Sequence, residues 1–90
     1  MYYGRVVGTV VATIKDEAFF GHKLLIVDRL GLDDKPDGWY DIAVDVVQAG
    51  AGDKVLVIDE GNGARQILKR EIAGVRAVIV GIVDDIEMEE

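Results

Sequence analysis

The chain has 90 residues, half of them hydrophobic, and its 17 acidic side chains outnumber 10 basic ones to give a formal net charge of −7. This length suits one small domain spanning residues 1–90. Nucleic-acid binding requires cationic side chains that displace counterions from phosphates, so the acidic balance argues against it. The chain contains no cysteine and no apolar run near the ~20 residues of a membrane helix, so we expect a cytoplasmic protein without a membrane partner.

Five segments have the composition of β-strands; in chain order they are residues 4–14, 23–28, 39–45, 54–58 and 76–84. The first is rich in Val and Thr, and the third alternates polar and apolar residues, as half-buried strands do. Clusters of Gly, Asp and Asn separate these segments and predict turns between them. The sequence therefore predicts an all-β protein.

Three segments contain most of these turn-forming residues. Residues 33–38 combine Asp, Pro and Gly, and residues 61–63 read Gly-Asn-Gly. Between them, Gly50, Gly52 and Asp53 are predicted to form a structural turn, because Gly and Asp favour tight backbone conformations.

The order of these elements indicates a small barrel. Five short strands with glycine corners fit an OB-like Greek-key barrel, since closure removes exposed strand edges. Residues 64–72 are compatible with at most one short helical turn. The acidic residues 84–90 are predicted to end the chain in a solvated tail.

Several strands are apolar on both faces. Val78, Val80 and Ile82 share one face of the last strand, and its opposite face is apolar as well. A small barrel has one interior, so only one face of each strand can line it. Burying a Val or Ile side chain is worth roughly 1.5–3 kcal/mol, and a large bare surface of this kind is unusual on a monomer. We therefore expect a permanent homo-oligomer in which a neighbouring subunit covers the second face.

No arrangement of residues indicates catalysis. His22 is the only histidine, so one chain cannot build a histidine metal cluster. Residues 33–44 are only superficially similar to a calcium loop, because Lys35 and Val44 occupy two of its ligand positions. The glycine-rich residues 60–66 lack the Gly-Lys-Ser/Thr of a phosphate-binding loop. The sequence therefore predicts no catalytic, cofactor or metal site, and no enzyme.

Two other functions stay open at this point. An OB-type barrel can bind single-stranded nucleic acid if it has a basic groove and exposed aromatic side chains. It can also bind a small ligand in a pocket between subunits, where His22 would recur around a ring.

Five motifs occur in the order seen in one protein family and span nearly the whole chain. The chain resembles the pentameric vertex proteins of bacterial microcompartment shells, of the carboxysome and ethanolamine-utilisation type, through RVVGTVVATIK (5–15), GHKLLIV (21–27), AVDVVQAGAGDKVLV (43–57), GNGAR (61–65) and AVIVGIVD (77–84). The resemblance implies an OB-like barrel assembled as a cyclic homopentamer. It also implies a structural function at the vertices of a closed polyhedral shell, with hexameric shell proteins as partners and no cofactor or nucleic acid.

The resemblance and the two-faced strands together predict a subunit interface. Its residues come from one face of the first strand, one face of the last strand and the glycine loop: Arg5, Val7, Thr9, Val11, Arg65, Val78, Val80 and Ile82. The central opening of the ring is expected to lie near Gly61, Asn62, Gly63 and Ala64, where the family usually has Gly-Ser-Ser-Ala. The chain also departs from the family with Gln48 in place of Gly and Arg76 in place of Asp.

Overall fold

The computed structural model of the protein describes residues 1–11, 23–59 and 77–87. Its five strands are β1 (Tyr2–Val10), β2 (Lys23–Leu30), β3 (Pro36–Asp45), β4 (Lys54–Ile58) and β5 (Ala77–Ile82). They form a closed barrel in the order β1-β2-β3-β5-β4, in which β4 returns to pair with β1. The pair β3–β5 is parallel and the other pairs are antiparallel. The predicted all-β, five-stranded OB-like barrel is confirmed, while the helical candidate at 64–72 lies outside the described residues.

The turn between β2 and β3 is shorter than the sequence predicts. Residues 33–38 read as a turn, but β3 begins at Pro36, which pairs with Leu30. Proline is tolerated there because the first residue of a strand does not need its N–H for the ladder. The tight turn is closed by the Gly31 N–H, which donates to the Lys35 carbonyl at 3.0 Å, and by the Asp34 N–H, which donates to the Gly31 carbonyl at 3.0 Å.

One apolar cluster fills the barrel. Its buried members come from all five strands and from the turn after β3: Val6, Leu25, Val27, Ala43, Ala49, Val55, Val57, Ala77 and Ile79. Gly4 allows β1 and β2 to pack closely, since a Cβ at this position would lie 2.5 Å from Val27 Cγ1 and 2.7 Å from the Asp28 carbonyl oxygen. Close backbone approach is a common reason for glycine inside a strand.

Bulges interrupt the alternation of β1 and β5. Val6 pairs with Val27 but Gly8 pairs with Ile26, so Val7 is an extra residue in β1. A bulge shifts the side chains that follow to the opposite face. The uninterrupted alternation assumed for the first strand is therefore wrong beyond Val7.

The last strand shows the same shift. Val57 pairs with Ile79, whereas Leu56 pairs with Gly81, so Val80 is the extra residue. Ile82 then pairs with Val55, on the other face from the one expected. The prediction that Val78, Val80 and Ile82 share one face is wrong for Ile82.

A second buried layer lies on the outer side of the barrel. Leu24 pairs with Val44 and Val44 pairs with Val78, and all three side chains point away from the core cluster. Val44 and Val78 are nevertheless completely buried within the single chain. Val78, which was predicted for the subunit interface, is therefore buried within its own chain, and its place in the interface stays a prediction.

Strand β3 carries its larger apolar side chains on the outside. Tyr40 and Ile42 face outward and are exposed, whereas Asp41 pairs with Val27 and faces inward. The Tyr2 hydroxyl satisfies this carboxylate by donating to Asp41 Oδ2 at 2.9 Å. Burial and this hydrogen bond raise the pKa of the Tyr2 hydroxyl well above its usual value.

Asp45 ends β3 as a buried carboxylate. Its Oδ1 accepts the Val47 N–H at 3.0 Å, and Lys23 Nζ lies 3.5 Å from its Oδ2. Lys23 Nζ also donates to the Ala49 carbonyl at 2.7 Å. Because a buried charge is costly without a partner, this lysine both compensates Asp45 and ties β2 to the turn that follows β3.

Candidate subunit interface

One apolar surface lies on the outside of β1, β2 and β3. We call it the front face and define it by four side chains: Val7, Ile26, Tyr40 and Ile42. Ile26 pairs with Gly8 on one side and with Ile42 on the other, which sets these strands side by side in register. Val7 is 49% exposed and Ile42 is 43% exposed. The bulge at Val7 and the inverted pattern of β3 thus place aliphatic side chains in solvent.

A second apolar surface lies on the outside of β1, β4 and β5. We call it the back face and define it by Tyr3, Leu56, Val80 and Gly81. Leu56 pairs with both Tyr3 and Gly81 and is 37% exposed. A Cβ added at Gly81 would meet no atom within 4 Å. The back face therefore leaves open space over Gly81, beside Leu56 and Val80.

The predicted interface residues of β1 fall in different places. Arg5 is half-buried and pairs with Asp28 on one side and with Lys54 on the other. Val7 belongs to the front face, and Val11, just beyond the strand, is 95% exposed. Thr9 is exposed but pairs with the core residue Leu25. The structure therefore brings only part of this predicted set onto one surface.

The remaining predicted residues divide between β5 and the glycine loop. Val80 is half-buried on the back face, and Ile82 is 44% exposed at the end of β5. Arg65 and the predicted central-opening residues 61–64 lie outside the described residues. Ile26, Ile42 and Leu56 were missing from the predicted set. No local signal in the sequence indicates an outward Ile42, because its alternation with Asp41 normally places the aspartate in solvent.

The predicted turn at Gly50, Gly52 and Asp53 has a defined structure. Asp53 Oδ2 accepts the Gly50 N–H at 2.8 Å, and the Asp53 N–H donates to the Gly50 carbonyl at 3.0 Å. Gly52 has a φ of +88°, which glycine adopts without steric cost. Its N–H donates to the Val6 carbonyl at 2.8 Å, and the Val6 N–H donates to the Asp53 carbonyl at 2.9 Å. The turn therefore extends the β1–β4 pairing.

Three polar side chains form a cluster at the margin of the back face. The Tyr3 hydroxyl donates to Asp34 Oδ1 at 2.7 Å, and Lys54 Nζ donates to Asp34 Oδ2 at 2.8 Å. The hydrogen bond from Lys54, and to a smaller extent that from Tyr3, lowers the pKa of the Asp34 carboxyl. The hydrogen bond to Asp34 raises the pKa of the Lys54 ammonium. Partial burial and the bond to Asp34 raise the pKa of the Tyr3 hydroxyl. All three groups are thus held in their ordinary neutral-pH charge states.

The C-terminal segment packs beside this cluster. Residues 83–86 and the cluster line a cleft of about 140 Å³. The Val83 N–H donates to the Lys54 carbonyl at 2.8 Å, and Ile86 is half-buried. The tail predicted over 84–90 is therefore only partly solvated as far as residue 87.

The exposed aromatic pair on β3 does not form a binding platform. Trp39 and Tyr40 are both about two-thirds exposed and point to opposite sides of the strand. The Arg29 guanidinium lies 5.5 Å from the centre of the Trp39 ring and pairs with Asp37 at 2.6 Å. Asp37 therefore neutralises the cation that lies over this ring.

Over residues 1–11, 23–59 and 77–87, no three His, Asp or Glu side chains converge on a position that could hold a metal ion. Within the same ranges, no helix has the length and apolar character needed to cross a bilayer. What these residues do show is a closed barrel with two apolar outer faces. That combination defines a structural barrel built for assembly with other subunits.

Comparison with known proteins identifies which assembly family this is. Residues 1–84 match the family described as ethanolamine utilisation protein EutN/carboxysome. The chain is 44% identical over 87 residues to the bacterial microcompartment shell vertex protein GrpN of Rhodospirillum rubrum, covering 97% of both chains. It is 35% identical over 81 residues to the shell vertex protein EutN of Salmonella typhimurium, covering 90% of this chain and 81% of the relative.

Solved structures agree with the sequence comparison. The pentameric shell protein GrpN from Rhodospirillum rubrum superposes with a TM-score of 0.83 at 45% identity, covering 99% of this chain and all of that one. CcmL of Gloeobacter violaceus superposes with a TM-score of 0.82 at 36% identity, covering 99% and 91%. This chain belongs to the EutN/CcmL family of microcompartment shell vertex proteins, and the resemblance found in its motifs is confirmed.

Proposed function

We propose that five copies of this chain form a ring that occupies the vertices of a bacterial microcompartment shell. Family membership supports this function, and the relative GrpN is a pentameric shell protein. The observation within the molecule that carries the proposal is the presence of two apolar faces on the outside of one barrel. A monomer would leave both in water, whereas full burial of each Val, Leu or Ile is worth roughly 1.5–3 kcal/mol.

A ring at a vertex explains why the function is structural. Contacts between unlike faces close into a ring when the rotation between subunits divides a full turn. A flat hexagonal layer cannot close by itself, so five-fold units supply the curvature that closes a polyhedron. The chain would act beside hexameric shell proteins, in a shell inside the bacterial cytoplasm, without catalysing a reaction or holding a cofactor.

The glycine loop has a proposed place in this ring. Residues 61–64 would border the central opening, and Arg65 would lie at the subunit contact. Their position in the family motif supports this arrangement. The planar guanidinium of Arg65 suits bidentate contacts with carboxylates or backbone carbonyls.

Two measurements test the proposed function. Native mass spectrometry in dilute physiological buffer should give a mass of five chains. Coexpression with a hexameric shell protein should give closed particles, whereas the hexamer alone should give sheets or tubes. A monomeric chain, or closed particles that form equally well without it, would contradict the proposal.

A further inference from the structure

The start of β3 contains a chemically reactive pair of residues. Asp37–Gly38 is the only Asp-Gly pair in the sequence. In such a pair the backbone nitrogen of the glycine can attack the side-chain carboxyl of the aspartate, because glycine has no Cβ to hinder the approach. We propose that Asp37–Gly38 is a site of aspartate isomerisation, and that Arg29 and the Trp39 N–H suppress the reaction in the folded chain.

The reaction is an internal rearrangement that needs only water. The Gly38 nitrogen forms a bond to Asp37 Cγ, and the carboxyl OH leaves with the amide proton as water, so that a cyclic succinimide results. Water then opens the ring. Attack at the side-chain carbonyl restores aspartate, whereas attack at the backbone carbonyl leaves Gly38 joined to Cγ as isoaspartate. The product has the same mass as the original chain, and its backbone is longer by the Asp37 Cβ.

The pairing of β2 with β3 is interrupted at this point. Between two register pairs, Arg29 alone faces residues 37–39 of β3, which makes these residues a bulge. Gly38 has a φ of +92° within this bulge, and the space where a Cβ would lie is open. In the described part of the chain, neither strand register nor side-chain packing therefore covers the bond between Asp37 and Gly38.

Two donors hold the Asp37 carboxylate in the folded chain. Its Oδ1 accepts the Trp39 N–H at 3.0 Å, and its Oδ2 accepts the Arg29 Nε–H at 2.6 Å. The Arg29 guanidinium also lies 5.5 Å from the centre of the Trp39 ring. Both hydrogen bonds favour the ionised carboxyl and lower its pKa, the Trp39 N–H more than Arg29. Because the protonated carboxyl is the form that loses water, both bonds slow ring closure.

Isomerisation would change the start of β3. The carboxylate would be attached directly to the Asp37 Cα, away from the two donors that hold it in the unmodified chain. The longer backbone would also displace Trp39, whose N–H donates to this carboxylate. Since the next residue, Tyr40, belongs to the front face, the reaction would alter aged copies of the chain at the margin of that face.

Ageing the purified chain in neutral buffer tests the proposal. Chromatography of proteolytic peptides that contain residue 37 separates the isoaspartyl form from the aspartyl form of equal mass. We expect the folded wild-type chain to isomerise more slowly than the same chain unfolded in guanidinium chloride. Arg29→Met should raise the rate in the folded chain about two- to fivefold, the size expected when an exposed ion pair is lost. Lys35→Met removes a nearby cation that is not one of the two donors to Asp37, and it should isomerise at the wild-type rate.

Asp37→Glu verifies the site, because glutamate would have to form a larger ring and should give no isomerised product at residue 37. If circular dichroism shows that Arg29→Met is unfolded, Arg29→Lys replaces it, since lysine keeps the charge without the Nε–H, and the rate should again rise. Equal rates in the folded and unfolded wild-type chain would overturn the proposal. An unchanged rate in the folded Arg29 variant, or an equal rise in Lys35→Met, would overturn it as well.

Discussion

Gly4 lies where β1 and β2 come close together, and its missing side chain has a measurable consequence. A Cβ at this position would lie 2.7 Å from the Asp28 carbonyl oxygen, a backbone atom that cannot rotate away. We expect Gly4→Ala to lower the free energy of unfolding by about 1–3 kcal/mol, as overpacking does. Gly8→Ala is the control in the same strand, because its Cβ would meet only the Ile26 side chain, whose nearest atom, Cδ1, lies 3.4 Å away. Equal thermal unfolding temperatures for both variants would contradict the steric explanation.

Gln48 is a second residue at which the backbone conformation determines the effect of a substitution on stability. It has a φ of +60°, in the left-handed region of backbone conformation. This conformation costs a non-glycine residue about 1–2 kcal/mol, partly offset by the greater flexibility of glycine in the unfolded chain. We expect Gln48→Gly to stabilise the protein by about 0.5–1 kcal/mol, measured as a higher unfolding temperature. Ala51→Gly, in the same loop but without a positive φ, should instead destabilise it.

At the scale of elements, the Asp34 cluster links the β2–β3 turn to β1 and β4. The pKa of Asp34 is lowered from 3.8, first by the Lys54 hydrogen bond and then by the Tyr3 hydroxyl. A lowered folded-state pKa stabilises the fold above the unfolded value, and this stabilisation is lost as the pH falls through the folded value, below about pH 4.

Lys54→Met should therefore raise the Asp34 pKa, measured by NMR titration of its side-chain carboxyl. Tyr3→Phe should raise it less, because the hydroxyl is the smaller cause. Lys35→Met is the control: it removes a neighbouring cation whose ammonium does not bond to Asp34. An Asp34 pKa that changes equally in the Lys54 and Lys35 variants would show that general charge, rather than the hydrogen bond, sets its value.

The sequence was sufficient to predict the strands and the barrel but not the outer faces. Strand composition and glycine turns are local properties, so five strands and their order of appearance could be read directly. The bulges at Val7 and Val80 could not, because an extra residue is defined only by its partner strand. Each bulge reversed the faces assigned to the residues after it.

The orientation of the side chains of β3 could not be predicted for a different reason. An alternation of Tyr40, Ile42 and Val44 with Asp41 and Asp45 normally places the aspartates in solvent. Here the aspartates face inward beside long-range partners: the Tyr2 hydroxyl donates to Asp41, and the Lys23 ammonium lies 3.5 Å from Asp45 Oδ2. Such partners are distant in the sequence, so the outward apolar face of β3, and with it half of the candidate interface, became visible only in the structure.

At the scale of the whole molecule, assembly and folding should be coupled. If five folded chains convert to five unfolded ones, mass action makes the native state more stable as the protein concentration rises. For a pentamer, each tenfold increase in protein concentration adds about 1 kcal/mol per chain to the free energy of unfolding. A factor of ten corresponds to about 1.4 kcal/mol, and four of the five chains lose their independence on assembly.

We expect the wild-type unfolding temperature to rise by several degrees per tenfold increase in concentration, as about 4–8 °C per kcal/mol is usual for a domain of this size. Differential scanning calorimetry over a hundredfold concentration range measures this slope. Ile42→Lys provides the comparison, because a charge on the front face should oppose its burial against a neighbouring subunit, so that its unfolding temperature should depend less on concentration. A wild-type transition that does not move would mean that the apolar faces contribute nothing to stability through assembly, and the barrel would then have to be stable with both faces in water.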